Sequence, residues 1–261
     1  MLRNLADNHD ERKVSIALAG GIEALVALVS EGPPGGKATA AGALRNLSDN
    51  DERRSATIAA AGGIDGLVVL VRDGSPDGTS EAAAVLRNLV DGHDERKAWI
   101  AAAGGIEALV ALVRDGSPDG KEMAARALYH LTSNDDGRKA SFTSAGGIKA
   151  LVSLVRDGSP IGKATAAALL WILAKNDRGT QASIAAAGGI EALVALAREG
   201  SPEGKVAAAR ALGSLSSNLA SIAAARGIEA LMALARGSTP GGEAAAWGAL
   251  RDALHNVKPT A

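Results

Sequence analysis

The chain has 261 residues, with 28 Lys and Arg, 29 Asp and Glu, and a formal net charge of −1. It has no cysteine, which excludes disulfide-stapled scaffolds, thiol nucleophiles and cysteine-ligated metal sites. The balanced charge lacks the basic excess that binds phosphate backbones, so no nucleic-acid partner is expected. No uncharged apolar run approaches the ~18 residues of a membrane span. No targeting signal is apparent, and an intracellular location in cytoplasm, nucleus or both is expected.

A Gly-Gly-Ile triplet divides the sequence into repeats. Five copies lie 42 residues apart and begin at Gly20, Gly62, Gly104, Gly146 and Gly188. A sixth version, Arg226-Gly227-Ile228, follows after 38 residues, and alignment places the shortening near Asn218. A unit of about 40 residues buries too little surface to fold alone, so we expect the repeats to stack on one another.

Three helical segments are predicted in each repeat, as the second repeat illustrates. Asn50 is expected to cap the first helix and Gly62 to end it. The second helix, over 64–72, has apolar residues along one face. Ser75 is the predicted N-cap of a third helix over 76–90, which has proline at its first position.

Three apolar positions recur in every repeat and predict the core. The first-helix position is Ile16, Ile58, Ile100, Phe142, Ile184 and Ile222. The second-helix position is Leu25, Leu67, Leu109, Leu151, Leu193 and Leu231. The third-helix position is Leu44, Leu86, Leu128, Leu170, Leu212 and Leu250.

This repeat, with its Gly-Gly-Ile junction, Gly-Ser-Pro turn and closing Ala-Leu-Arg-Asn-Leu, resembles the armadillo repeat family of catenins and importin-alpha. HEAT repeats are similar in length but usually have two helices and no such junction. The resemblance covers about residues 8–257. It implies an all-α, right-handed α-solenoid, or superhelix, of about six three-helix repeats.

The predicted repeat boundaries are 8–49, 50–91, 92–133, 134–175, 176–217 and a shortened 218–257. Residues 1–7 match the end of a third helix one period later, so they are predicted to be a partial preceding repeat. Such an uncapped start would permit end-to-end self-association. Residues 258–261 are predicted to be a tail. Trp247 replaces an alanine of the earlier repeats and is interpreted as a C-terminal cap, with an oligomer contact as the alternative.

Enzyme motifs are poorly matched. The segment 116–121 imitates a phosphate-binding loop, but Glu122 replaces the magnesium-binding Ser or Thr, and the segment recurs as a turn in later repeats. The four histidines are dispersed without metal-ligand spacing, and no nucleophile elbow is present. We therefore predict no enzyme activity, no metal site and no cofactor.

The resemblance places function in a concave groove lined by the third helices, where an asparagine in family members aligns extended peptides. Position by position, that asparagine is Asn4, Asn46 and Asn88, and then His130, Ile172, Ser214 and Asp252. The family's tryptophan one turn earlier is replaced by Gly42, Ala84, Arg126, Ala168, Arg210 and Gly248. Both departures disfavour a nuclear-import receptor.

The residue before each asparagine adds a second pattern. Arg3, Arg45 and Arg87 each stand four positions before an aspartate, which fits an intrahelical ion pair or a ligand contact, or both. In later repeats this position becomes Tyr129 and then Trp171, which predicts an aromatic anchor, with local helix packing as the alternative. The predicted peptide-binding residues are Asn4, Arg45, Asn46, Arg87, Asn88, Arg126, Tyr129, His130, Trp171 and Ile172.

The sequence thus predicts a non-enzymatic protein-interaction scaffold that binds an extended or partly helical segment of a protein partner. The alternative is a structural or self-assembling array, natural or engineered, with no dedicated peptide ligand. Trp99, on a first helix, is either a lone surface ring or a second contact.

Overall fold

The computed structural model of the chain describes residues 10–237 and 239–255. They fall in two compact units, one within Met1–Thr132 and the other within Ser133–Ala261. In these residues there are eighteen α-helices, one 3₁₀ helix and no strand, which confirms the all-α prediction. The predictions for residues 1–7, including Asn4, and for 258–261 lie outside the described residues.

The helices follow one another in triplets. First helices are α1 (Asp10–Leu18), α4 (Glu52–Ala60), α7 (Asp94–Ala102), α10 (Asp136–Ser144), α13 (Arg178–Ala186) and α16 (Leu219–Ala224). Second helices are α2 (Gly21–Glu31), α5 (Gly63–Asp73), α8 (Gly105–Asp115), α11 (Gly147–Asp157), α14 (Gly189–Glu199) and α17 (Gly227–Gly237). Third helices are α3 (Pro34–Ser48), α6 (Pro76–Val90), α9 (Pro118–Thr132), α12 (Pro160–Ala174), α15 (Pro202–Ser214) and α18 (Pro240–His255).

The Ser-Pro turn starts the third helices as predicted. The Ser75 hydroxyl accepts a hydrogen bond from the Gly78 amide at 3.3 Å, and proline occupies the first turn of α6. The same bond recurs from Gly162 to Ser159 at 3.0 Å. A side-chain oxygen satisfies one of the four amides that a helix start leaves unpaired, which fixes where α6 and α12 begin. In α3 the N-cap is Pro33, which makes no side-chain capping bond.

The first helices are capped differently from the prediction. The Asp51 carboxylate, not Asn50, accepts the capping hydrogen bond from the Arg54 amide at 2.8 Å. Asn50 instead has a φ of 53°, in the left-handed region. Asparagine tolerates that conformation and turns the chain out of the preceding third helix. The prediction that Asn50 is the cap is therefore wrong by one residue.

The first and second helices meet at a left-handed residue. Gly62 has a φ of 76°, and glycine adopts this value without the steric cost that a Cβ atom brings. In the last triplet Arg226 occupies the same site with a φ of 57°. The junction therefore demands a left-handed backbone even where the sequence supplies a bulky residue.

Stacking in each unit joins equivalent helices. In the first unit α3 packs on α6 and α6 on α9, while α2 packs on α5 and α5 on α8. In the second unit α12 packs on α15 and α15 on α18, with α11, α14 and α17 stacked in the same way. The predicted second- and third-helix leucines are all buried, and so are the first-helix residues except the half-buried Ile16.

An ion pair also joins neighbouring first helices in the first unit. The buried Arg96 donates two hydrogen bonds to the Glu52 carboxylate, at 3.0 and 2.8 Å. His93 Nε2 lies 2.7 Å from the same carboxylate. The hydrogen bonds from Arg96 lower the pKa of Glu52, partly offset by burial, and keep it charged at neutral pH.

The shortening near Asn218 changes three elements. The third helix α15 has 13 residues where the four before it have 15, a 3₁₀ helix over Ser216–Asn218 follows it, and α16 has six residues where the other first helices have nine. The missing residues are therefore taken from the end of α15, the turn and the start of α16. Ile222 remains buried, so the shortening preserves the core position.

The helices of the described part of the chain are short compared with a membrane span. No single helix there is long and apolar enough to cross a bilayer. Three pairs of a first and a second helix reach the length and apolar composition of a membrane span only when the two helices are counted together. Each pair bends by 73° to 85° at its junction.

The Gly-Gly-Ile junction yields a stability prediction. Gly62→Ala should lower the free energy of unfolding by about 1 kcal/mol, because a Cβ there meets no atom within 4 Å but strains a left-handed backbone. The reverse change, Arg226→Gly, should raise it by about 0.5–1 kcal/mol. Guanidinium unfolding followed by circular dichroism measures both.

Gly35→Ala is the matched control, since Gly35 lies in α3, without a left-handed φ and with open space around its Cβ position. This change should leave stability unchanged or raise it. Equal losses for Gly62→Ala and Gly35→Ala would contradict the junction argument.

Candidate functional site

Asn88 interlocks two third helices in the first unit. Its Nδ2 donates to the Ser48 hydroxyl at 3.0 Å and to the Arg45 carbonyl at 3.4 Å. Ser48 is buried and Asn88 is half-buried. The carboxamide therefore donates its N–H groups to the neighbouring repeat, and its oxygen can accept other hydrogen bonds.

The arginines of this unit pair across helices, not within one. Arg45 Nε lies 3.0 Å from Glu81 Oε2, on the following third helix. No Arg45–Asp49 ion pair is found between these described residues, so the intrahelical interpretation is wrong for Arg45. Arg126, in contrast, has an i, i+4 partner in Glu122 at 3.8 Å. Arg45, Asn46 and Arg87 are half-buried on their helices.

Tyr129 and His130 form an edge-to-face aromatic pair, with ring centroids 5.5 Å apart at 80°. Burial lowers the pKa of His130, the cations of Arg87, Lys97 and Arg126 act in the same direction, and Asp91 at 3.8 Å opposes them. The imidazole is thus neutral at physiological pH. Tyr129 belongs to the first unit and Trp171 to the second, so their common anchor stays a prediction.

Trp171 in the second unit lines a pocket of about 720 Å³. The Arg210 guanidinium carbon lies 5.4 Å from the centre of the Trp171 ring, within cation–π range. Both side chains project from third helices, α12 and α15, and Gly248 and Asp252 extend the pocket wall onto α18. We call this cavity the Trp171 pocket. Ile172 beside it is half-buried and is not part of its lining.

Small residues create the space in front of the tryptophan. A Cβ added at Gly248 would meet no atom within 4 Å, so this position has room for a larger side chain. Ala245 and Ala249 also line the wall. An accessible aromatic ring beside small residues is the kind of surface on which interface hot spots form.

Most residues of the pocket were not predicted from the sequence. Lys175, Arg178, Arg210, Gly248 and Asp252 line it but were not among the predicted binding residues. A signal was available for Arg210 and Gly248, which occupy the position of the family's tryptophan. That register places them on the groove side of α15 and α18.

The other two tryptophans are exposed. Trp247 on α18 is 61% exposed, whereas the alanines at the same register position in earlier repeats are fully buried. Its capping role stays a prediction. Trp99 on α7 is 50% exposed and lies on a first helix.

Within residues 10–237 and 239–255, no group of three or more His, Asp and Glu residues is arranged to hold a metal ion. The chemistry that the Trp171 pocket offers is therefore aromatic contact, amide and hydroxyl hydrogen bonds, and charge.

Comparison with known proteins agrees with this architecture. A family model described as the plant U-box protein ARM repeat region matches residues 1–200. No protein of curated function matches the chain.

Solved structures extend the likeness. An engineered protein from the Northeast Structural Genomics Consortium shares 32% identity at a TM-score of 0.86, over 97% of this chain and 62% of its own length. The chain thus spans less than two thirds of that protein. A second engineered protein shares 30% identity at a TM-score of 0.81, over 90% of this chain and 97% of its own. A designed armadillo repeat protein in complex with the peptide (KR)4 has 22% identity and a TM-score of 0.78, over 89% and 99%, a likeness in fold alone.

The Asn88 contacts generate a prediction. Asn88→Ala should lower the free energy of unfolding by about 1 kcal/mol, because it removes a part-buried hydrogen bond to Ser48. A double-mutant cycle with Ser48→Ala should give a coupling energy of about 0.5–1 kcal/mol in chemical unfolding. An additive cycle with unchanged stability would mean that Asn88 does not join the two repeats.

Proposed function

Because the chain belongs to the armadillo repeat family, of the type found in plant U-box proteins, we propose that it is a non-enzymatic interaction scaffold. Its third helices in the second unit bind a segment of another protein in extended or partly helical form. The observation that carries the proposal is the Trp171 pocket, where a half-buried indole ring faces a cavity spread over three consecutive third helices.

Three features of the pocket support this function. The cavity of about 720 Å³ is large enough for several side chains, and it is lined from α12, α15 and α18. The Trp171 ring offers the kind of large, rigid apolar surface that dominates binding energy at interfaces. The Ser214 and Asn176 side chains supply polar groups for a backbone that has no sheet partner.

The first unit has a different part in this proposal. Asn88 and Arg45 already hold contacts between neighbouring helices, through Ser48 and Glu81. A ligand would have to share or break these hydrogen bonds and ion pairs, whereas the Trp171 pocket already has open volume, with the Arg210–Trp171 cation–π contact at its wall. The pocket is therefore the primary site, and Asn88 contributes chiefly to the scaffold.

The test begins with peptides selected from a random displayed library against the full chain. Trp171→Ala should weaken binding of the selected peptides by tenfold or more, about 2 kcal/mol, because it removes the aromatic surface. Calorimetric titration measures the affinity, and circular dichroism checks that the fold is intact. Trp99→Ala is the matched control and should bind as the unmodified chain does.

A second variant closes the pocket without removing its aromatic ring. Gly248→Leu should fill open space, retain or improve helix stability, and reduce binding by a similar factor. Gly241→Leu is the same change in the same helix, also in open space, but outside the pocket, and should be neutral for binding. Full affinity in both Trp171→Ala and Gly248→Leu would move the binding surface away from this pocket.

A structural or self-assembling array is the second candidate, and the exposure of Trp247 favours it. Large apolar surface at a position that is otherwise buried between repeats is a candidate contact with a second copy. If this function holds, light scattering should give a mass that rises with concentration and returns to the monomer value in Trp247→Ser. A constant monomer mass for the unmodified chain would count against self-assembly.

A further inference from the structure

Resting on the proposed function, we infer that the Trp171 pocket selects acidic segments: its partner is a peptide that places Asp or Glu side chains around an apolar residue. The inference comes from the cations that line the pocket, for which the described residues supply no ion-pair partner. The chain as a whole has a formal charge of −1, so a local excess of cations is not a consequence of composition.

Three cations and one carboxylate line the pocket. The cations are Lys175, Arg178 and Arg210, and the carboxylate is Asp252, which gives a formal charge of +2 for the lining. In the part of the chain that the structure describes, no carboxylate oxygen lies within 4 Å of a side-chain nitrogen of these three cations. Elsewhere in the protein, cations such as Arg96 and Arg45 are paired with carboxylates of neighbouring helices.

Two acids, one beside the cations in sequence and one in the pocket lining, are engaged elsewhere. Asp177 lies between Lys175 and Arg178 in sequence, but its carboxylate caps α13 and accepts hydrogen bonds from the Gly179 and Thr180 amides and the Thr180 hydroxyl, at 2.7 to 3.1 Å. It is not part of the pocket lining. Asp252 lines the pocket but lies 3.6 Å from Arg251 Nε, an ion pair that reduces its effect on a ligand.

Arg210 is placed beside the indole, where it can bind a carboxylate of the ligand. Its guanidinium carbon lies over the Trp171 ring at 5.4 Å, and a guanidinium on an aromatic face retains N–H groups that can bind a carboxylate in a bidentate manner. Lys175 and Arg178 are exposed and follow the end of α12, the helix that carries Trp171. An apolar side chain on the indole with acidic neighbours would therefore meet cations from α15 and from the segment that follows α12.

The charge also argues against the opposite ligand. The designed armadillo repeat protein noted above was solved with the basic peptide (KR)4. In this chain a basic segment would bring further positive charge to three unpaired cations, which costs binding energy through like-charge repulsion. The Trp171 pocket thus differs from a basic-peptide site in the sign of its charge.

The experiment uses the full chain and three dye-labelled peptides, DEDELDEDE, QNQNLQNQN and KRKRLKRKR, whose affinities are measured by fluorescence anisotropy at low and physiological salt. The acidic peptide should bind about tenfold more tightly than the neutral one at low salt, and the basic peptide should bind most weakly. The preference should shrink as salt is added, because exposed charges are screened.

Variants identify the cations. The triple change Lys175→Gln, Arg178→Gln and Arg210→Gln should reduce acidic-peptide affinity about tenfold, the combined effect of three exposed pairs. Arg236→Gln removes a charge from an exposed second-helix site outside the pocket and should change affinity by less than about twofold. Asp252→Asn should raise affinity about two- to threefold, a gain that damage to the fold would not produce.

The outcomes separate this inference from the proposed function. Tight binding of the neutral or basic peptide, lost in Trp171→Ala, would overturn acidic selectivity and leave the groove function standing. Failure of all three peptides and of library-selected peptides to bind would overturn both. Tighter binding of a single-stranded RNA than of the acidic peptide, lost in the triple variant, would overturn the peptide assignment.

Discussion

Every other feature of the structure depends on how closely one third helix approaches the next. Ala41 and Ala83 in the first unit, and Ala167 and Ala209 in the second, have no accessible surface. Small side chains at this position let helix backbones come close enough for neighbouring repeats to share one apolar core. A single repeat cannot form such a core, so the repeats fold only when they pack on one another.

The same contact determines where a binding site can arise. Residues beside the buried alanines and leucines are held at fixed positions, but their chemistry is not fixed by packing. In the first unit these positions hold Arg45 and Asn88, which are engaged in contacts between helices. In the second unit they hold Trp171 and Arg210, which form a pocket wall. One framework thus supports an interlocked surface in one unit and an open one in the other.

Features that depend on local chemistry and on the repeat period could be predicted from the sequence. Six triplets, the Ser75 cap and the buried leucines follow from spacing and from short-range hydrogen bonding, which a sequence displays directly. Asn50 and Asp51 could not be assigned from residue type, because both cap helices and only the backbone decides which one enters the left-handed region. The partner of Arg45 and the pairing of Arg210 with Trp171 join residues about one repeat apart, a relation that requires the packing angle of neighbouring helices.

Repeated core surfaces have a consequence for the order of folding. The third helices of successive repeats, 42 residues apart, offer almost the same apolar surface. A helix that packs on the wrong repeat therefore loses little packing energy. Its main penalty is the entropic cost of closing a longer loop, and that cost grows slowly with loop length. Correct assembly therefore depends on adjacent helices meeting first, before distant copies compete. Phe142 is an exception, since its ring lies against Gly147 where the other repeats have isoleucine. That ring makes the junction between the first and second helices of its own repeat different from the same junction in the other repeats.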